Sequence, residues 1–140
     1  MKNDNKGFSL IELIVVIAIM AILVGVLAPQ FIKYIESSKQ STDIQNAAAI
    51  KSAIDVGVAD DLITEDVTVE ITSGGSIKVS DSGKAALEAV GLSQSTTCKS
   101  GGWTAGQIAS YDYDTFTWSV DAAGSPNNNV PNKDICTAFK

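Results

Sequence analysis

The 140-residue chain contains no histidine, and because all ten of its basic residues are lysines it contains no arginine. The first absence removes Ser-His-Asp and Cys-His catalysis and any histidine-ligated zinc. The second removes bidentate guanidinium clamps on phosphate or guanine. A formal charge of −6 runs against general nucleic-acid binding, which rests on cationic neutralisation of phosphates, so no direct nucleic-acid partner is expected. Two cysteines are too few for an all-cysteine zinc site. An enzyme would have to work with Asp, Glu, Lys, Ser and Tyr alone. No enzymatic activity, cofactor or metal is expected.

The apolar residues that are present are unevenly spread. Eighteen of the 21 residues from Phe8 to Ala28 are apolar. As a helix this window spans about 31 Å, close to the hydrocarbon thickness of a bilayer. Lys2 and Lys6 precede it, which orients the N-terminus to the cytoplasm and the remainder outside. Three readings compete. An ordinary secretory signal fits poorly, because the run is long and Val26-Leu27-Ala28-Pro29 is a poor cleavage site. A plain anchor accounts for the length and the lysines but not for Glu12, a carboxylate five residues into the run. A cut between Gly7 and Phe8 accounts for both. It removes a polar leader and frees the Phe8 amine four residues from Glu12. In a staggered bundle of such helices, Glu12 of one chain meets the Phe8 amine of its neighbour. In an apolar bundle an unpaired charge is very costly, so cleavage creates the partner that makes the buried carboxylate tolerable.

With Lys6-Gly7-Phe8-Ser9-Leu10-Ile11-Glu12-Leu13, the apolar helix after it and Pro29, the chain resembles the type IV pilin family. The resemblance covers roughly residues 1–35. It implies a prepilin peptidase that cuts after Gly7 and N-methylates Phe8. It further implies an assembly platform with its ATPase, and extraction of a single-pass cytoplasmic-membrane precursor into an extracellular homopolymer on the bacterial surface. Adhesion, twitching motility or DNA uptake would be the filament's task. Pseudopilins of type II secretion and competence pilins share this start, so a pseudopilin stays open, as does an uncleaved membrane-anchored binding domain. Pro29 lacks an N–H and its ring crowds the carbonyl of Gly25, so Gly25–Pro29 is the weakest stretch of the helix. It reads as a kink or, as the resemblance implies, as a stretch that melts on assembly.

The remaining pattern predicts an α+β fold, a long N-terminal helix packed on a small antiparallel sheet. The expected divisions are leader 1–7, hydrophobic helix 8–29, amphipathic helix 30–62 and head 63–140. Apolar residues at Ile44, Ala47, Ala48, Ile50, Ile54 and Val58 recur at helical steps, with Lys39–Asp43 and Lys51–Asp55 as pairs on the opposite face. Asp60-Asp61 oppose the helix dipole and mark its end. Val67–Ile71 and Ser76–Ser80, separated by Ser73-Gly74-Gly75, read as a hairpin. Ser80-Asp81-Ser82 can cap a short helix over Gly83–Val90, closed by Gly91. Trp103–Ser110 and Tyr111–Val120 read as strands, and 93–102 and 121–134 as loops.

Cys98 and Cys136 fall outside the membrane in this orientation, where disulfides persist. Closing a loop of about 38 residues would stabilise a small head by roughly 4 kcal/mol. The pairing also resembles the disulfide-closed C-terminal region of many pilins. Asp112, Asp114, Asp121 and Asp134 with Asn127–Asn129 offer oxygens suited to calcium, although no EF-hand spacing is present and a solvated acidic face is the simpler reading. Phe8, Phe31 and Tyr34 read as packing residues rather than an electron-hopping row. Trp103, Phe116 and Trp118 read as head core, with a surface aromatic patch as the alternative.

Overall fold

A computed structural model describes residues 7–120 and 133–140. The leader lysines, Asp121 and Asn127–Asn129 lie outside the described residues. The chain divides into two compact units, Met1–Ser37 and Ser38–Lys140. In the first, helix α1 (Leu10–Ala59) begins at Leu10, and the apolar side chains from Phe8 to Ile35 are exposed. Gly25 and Pro29 both lie within α1, which continues past them.

In the second unit α1 buries Asp43, Ala47, Ile50, Ala53, Ile54 and Gly57, a stripe at three- and four-residue steps. The helix stops where the aspartates predict. Asp61 takes the left-handed conformation at φ 58°. The Leu62 N–H donates to the Gly57 carbonyl at 2.8 Å and the Asp61 N–H to the Val58 carbonyl at 3.2 Å. Together these form a Schellman motif. Gly57 has a further role. A Cβ built there would overlap the Cβ of Ala86 and come within 3.2 Å of its Cα, so α1 and α2 (Lys84–Ala89) cross at this glycine. Gly57→Ala is expected to destabilise the head by about 1–3 kcal/mol through overpacking, against the ~1 kcal/mol that Ala ordinarily contributes over Gly in a helix. Denaturant unfolding checks this, and a net gain in stability would contradict the crossing.

The stripe packs on a five-stranded sheet of order β3-β2-β1-β4-β5, antiparallel at every pairing. The strands are β1 (Val67–Ile71), β2 (Ser76–Val79), β3 (Ser95–Thr97), β4 (Gly106–Asp112) and β5 (Thr117–Val120). Val67, Val69 and Ile71 alternate inward along β1, facing the core with Ile77 and Val79 of β2. Gly75, at φ 71°, closes the predicted hairpin. From the C-terminal end, α3 (Lys133–Cys136) and a 3-10 turn (Thr137–Phe139) add the fully buried Ile135 and Phe139.

Several expectations are corrected. The 93–102 stretch is not all loop, because Ser95–Thr97 pairs with Ser76–Lys78 as an edge strand. The strand expected at 103–110 starts at Gly106 and runs on to Asp112, and of the one expected at 111–120 only Thr117–Val120 forms a separate strand, after a turn. There the Asp112 carboxylate accepts the Thr115 N–H at 2.9 Å and Phe116 takes φ 54°. The left-handed conformation costs a side chain with a Cβ about 1–2 kcal/mol. The reversal places Tyr111 opposite Trp118, so Tyr111 is buried while Phe116 is 64% exposed and outside the core. The short helix is Lys84–Ala89, preceded by a 3-10 turn over Asp81–Gly83. Ser80 and Ser82 do not cap it. They hydrogen-bond to each other, and Ser82 donates to the Asp66 carbonyl at 2.7 Å.

Candidate assembly and processing site

Gly7, Phe8 and Ser9 precede the helix and are not helical. Gly7 has open space where a Cβ would stand, and Phe8 is 94% exposed. At the first turn the Ser9 N–H donates to Glu12 Oε2 at 2.8 Å. This is the reciprocal half of a capping box, in which a glutamate at the third helical position satisfies a backbone donor that the helix itself cannot. The Ser-x-x-Glu spacing is the sequence signal for this cap, and the reading of Glu12 as an assembly charge alone misses it. Glu12 lies between two shallow apolar depressions, one lined by Ile11, Val15 and Val16, the other by Phe8, Leu13 and Val16. Its charge thus stands in the middle of an exposed apolar surface. The helix is long and apolar enough to cross a membrane.

The head is fastened to its own stretch of α1 by two aspartates. Asp43, expected as half of an exposed pair with Lys39, is fully buried instead. Its Oδ1 accepts the Lys99 N–H at 2.7 Å. Its Oδ2 accepts the Ser100 N–H at 2.8 Å and the Trp103 indole N–H at 2.7 Å. Three donors compensate the burial of this carboxylate, which an exposed lysine would not. Asp55 accepts the Trp118 indole N–H at 2.7 Å and Lys51 Nζ at 2.8 Å, as its spacing from Lys51 predicts. Lys51 Nζ also stands 5.6 Å from the centre of the Trp118 ring. Both tryptophans of the chain are therefore hydrogen-bonded to helix carboxylates, and both are half-buried. Trp118 continues inward through ring contacts with Tyr111 at 5.4 Å and Phe139 at 5.2 Å. Burial, with Asp55 next in weight, pushes the Tyr111 phenol above its ordinary range.

Cys98 and Cys136 are not joined by a disulfide in this structure. Burial and then the charge of Asp43 push the Cys98 thiol above its ordinary pKa. The Thr115 N–H and hydroxyl bonds hold the Asp112 carboxyl below the usual range. That stabilisation is present above the ordinary aspartate value and is lost as pH falls through the lowered one. Among the described residues no three His, Cys, Asp or Glu side chains gather as a metal site. Phe8, ahead of the helix, and Phe31 and Tyr34, on it, are all exposed in the single chain.

Exposed apolar helix, charged first turn and small α+β head define the class as proteins with one long apolar N-terminal helix, of membrane-crossing length, leading into a small α+β head. Residues 2–28 match the family model described as the prokaryotic N-terminal methylation motif. The chain is 43% identical over 93 residues, 62% of its length, to the prepilin peptidase-dependent protein A of Clostridium perfringens. It is 40% identical over 60 residues, 43% of its length, to the type IV major fimbrial protein FimA of Dichelobacter nodosus. To the type IV major pilin protein PilA of Myxococcus xanthus it is 47% identical over 49 residues, 35% of its length. The matches span 66%, 38% and 22% of those relatives' own lengths. No solved structure matches the chain. The chain thus carries the N-terminal methylation motif and is similar over part of its length to proteins of the type IV pilin family.

Proposed function

We propose that the chain is the precursor of a type IV pilin, a structural subunit rather than an enzyme. A prepilin peptidase cuts it between Gly7 and Phe8 and methylates the new Phe8 amine. The mature chain waits in the cytoplasmic membrane and is then polymerised by an assembly platform and its ATPase into an extracellular filament. That filament serves adhesion, twitching motility or DNA uptake. In it Glu12 pairs with the Phe8 amine of a neighbour, Gly25–Pro29 is the stretch that yields, and Cys98 and Cys136 close into a disulfide once exported. The observation that carries this reading is Glu12, the one carboxylate within the exposed apolar stretch Phe8–Ala28 that follows Gly7.

Intact-mass and N-terminal analysis of material sheared from cells of the source organism tests it. The expected chain begins at methylated Phe8 and is lighter than the reduced form by the two hydrogens a disulfide loses. The same mature chain confined to membranes would favour a pseudopilin. A chain starting at Met1 would return the protein to a plain anchor. Gly7→Trp is expected to leave an unprocessed precursor and no filament, and ordinary maturation of that variant would contradict the proposed cut.

A further inference from the structure

Among the described residues from Ser38 onward, four large apolar side chains are exposed: Val56, Leu62, Val90 and Phe116. Two of them share one groove. Ala49, Ser52, Ala53 and Val56, on one face of α1, form one wall, and Val90 and Leu92, after α2, form the other. Leu62 belongs to the Schellman turn that ends α1. Phe116 stands at the tip of the β4–β5 turn, the most exposed of the four. We propose that Phe116 of one copy seats in the Val56–Val90 groove of a second copy, a contact between neighbouring globular units of the assembled filament.

Phe116 is an unusual residue for its place. It takes φ 54°, a conformation that glycine or asparagine adopts far more easily. A side-chain-bearing residue in this region costs of order 1–3 kcal/mol and persists where the surrounding structure holds it. The tip is also held before any partner arrives. Tyr113 meets the Phe116 ring at 5.6 Å in a tilted contact, and its own N–H donates to Asp66 Oδ1 at 2.8 Å. Asp112 accepts the Thr115 N–H, and the Thr115 and Thr117 hydroxyls meet at 2.8 Å. A side chain so fixed loses little freedom on docking.

The occupant follows from area. One aromatic side chain buries about 150–250 Å², well short of the about 800 Å² per partner that a stable independent interface needs. A free soluble partner would not be held by this contact. It suits an assembly brought together by another, larger surface, and the exposed apolar helix of this chain is such a surface. A knob and a hole at different places on the same chain make a heterologous contact. Repeated from copy to copy, that contact builds an open helical array rather than a closed dimer. The inference rests on the proposed filament.

The test pairs Phe116→Gly with a crosslink. Glycine relieves the left-handed strain, so the full-length chain in detergent should melt no lower than the parent. Filament recovered by shearing should fall about tenfold. A variant that melts lower would place the role of Phe116 within its own head and overturn the proposal. So would normal filament recovery. In the reduced amount of filament that Val56→Cys with Phe116→Cys still forms, oxidation should give a ladder of crosslinked multimers on a non-reducing gel, absent from either single variant. No ladder, or the same ladder from a single variant, overturns the contact while leaving the pilin reading intact. Absence of filaments from the unsubstituted chain overturns both.

Discussion

An Asp43→Ala chain is expected to lose about 3–5 kcal/mol of head stability, the range for removing one partner of a buried, fully bonded charge. The substitution leaves the Lys99 and Ser100 N–H groups and the Trp103 indole facing an apolar void. It also frees the segment that follows Cys98 from α1. Against a typical net stability of about 5–15 kcal/mol this is enough to unfold much of the population under mild denaturant. Asp43→Asn is expected to fall between parent and alanine variant, because an amide keeps one acceptor and turns a donor toward the remaining N–H groups. Denaturant melts of the full-length chain in detergent, followed by tryptophan fluorescence, measure the series. Trp103 reports directly, since its indole loses its carboxylate in the alanine variant. An alanine variant within about 1 kcal/mol of the parent would mean the three bonds contribute little net, contrary to the geometry.

Asp43 also shows where sequence reading stops. A charged residue four positions from a lysine on a helix reads as a solvent pair, and nothing local says otherwise. Its partners come from residues 99–103, far along the chain, and only the folded head brings them together. The stripe around it is legible, because Ala47, Ile50 and Ile54 keep helical spacing. So is the first hairpin, where Val67–Ile71 and Ser76–Val79 alternate around Gly75. Ser95-Thr96-Thr97 is not, since a short polar edge strand has no apolar alternation and is defined only by its bonds to β2. The 113–116 reversal is hidden for a different reason. Its left-handed residue is a phenylalanine, where turn chemistry leads one to look for glycine or asparagine. At the N-terminus the proposed site is read from sequence, because charge, apolar length and the Gly7-Phe8 junction are all local. The Ser9–Glu12 cap is equally local, and its spacing alone is enough to find it.

That cap determines how the second large effect has to be measured. Glu12→Ala is expected to leave membrane insertion intact, since removing a carboxylate from an apolar span eases insertion. Filament recovered by shearing should fall about a hundredfold or more, the consequence of leaving each proposed neighbouring Phe8 ammonium unpaired in an apolar bundle at a cost of several kcal/mol. Alanine, however, removes two interactions at once, the proposed pairing and the bond from the Ser9 N–H. The cap contributes about 1 kcal/mol, too little for the whole effect but enough to blur it. Glu12→Gln separates them. Glutamine serves in a capping box as well as glutamate does, so the first turn keeps its acceptor while the charge is gone. Glu12→Gln should therefore insert and mature like the parent and yet assemble as poorly as Glu12→Ala. If the glutamine variant formed normal filaments, the charge would be irrelevant to assembly, and Glu12 would be no more than the cap of its own helix.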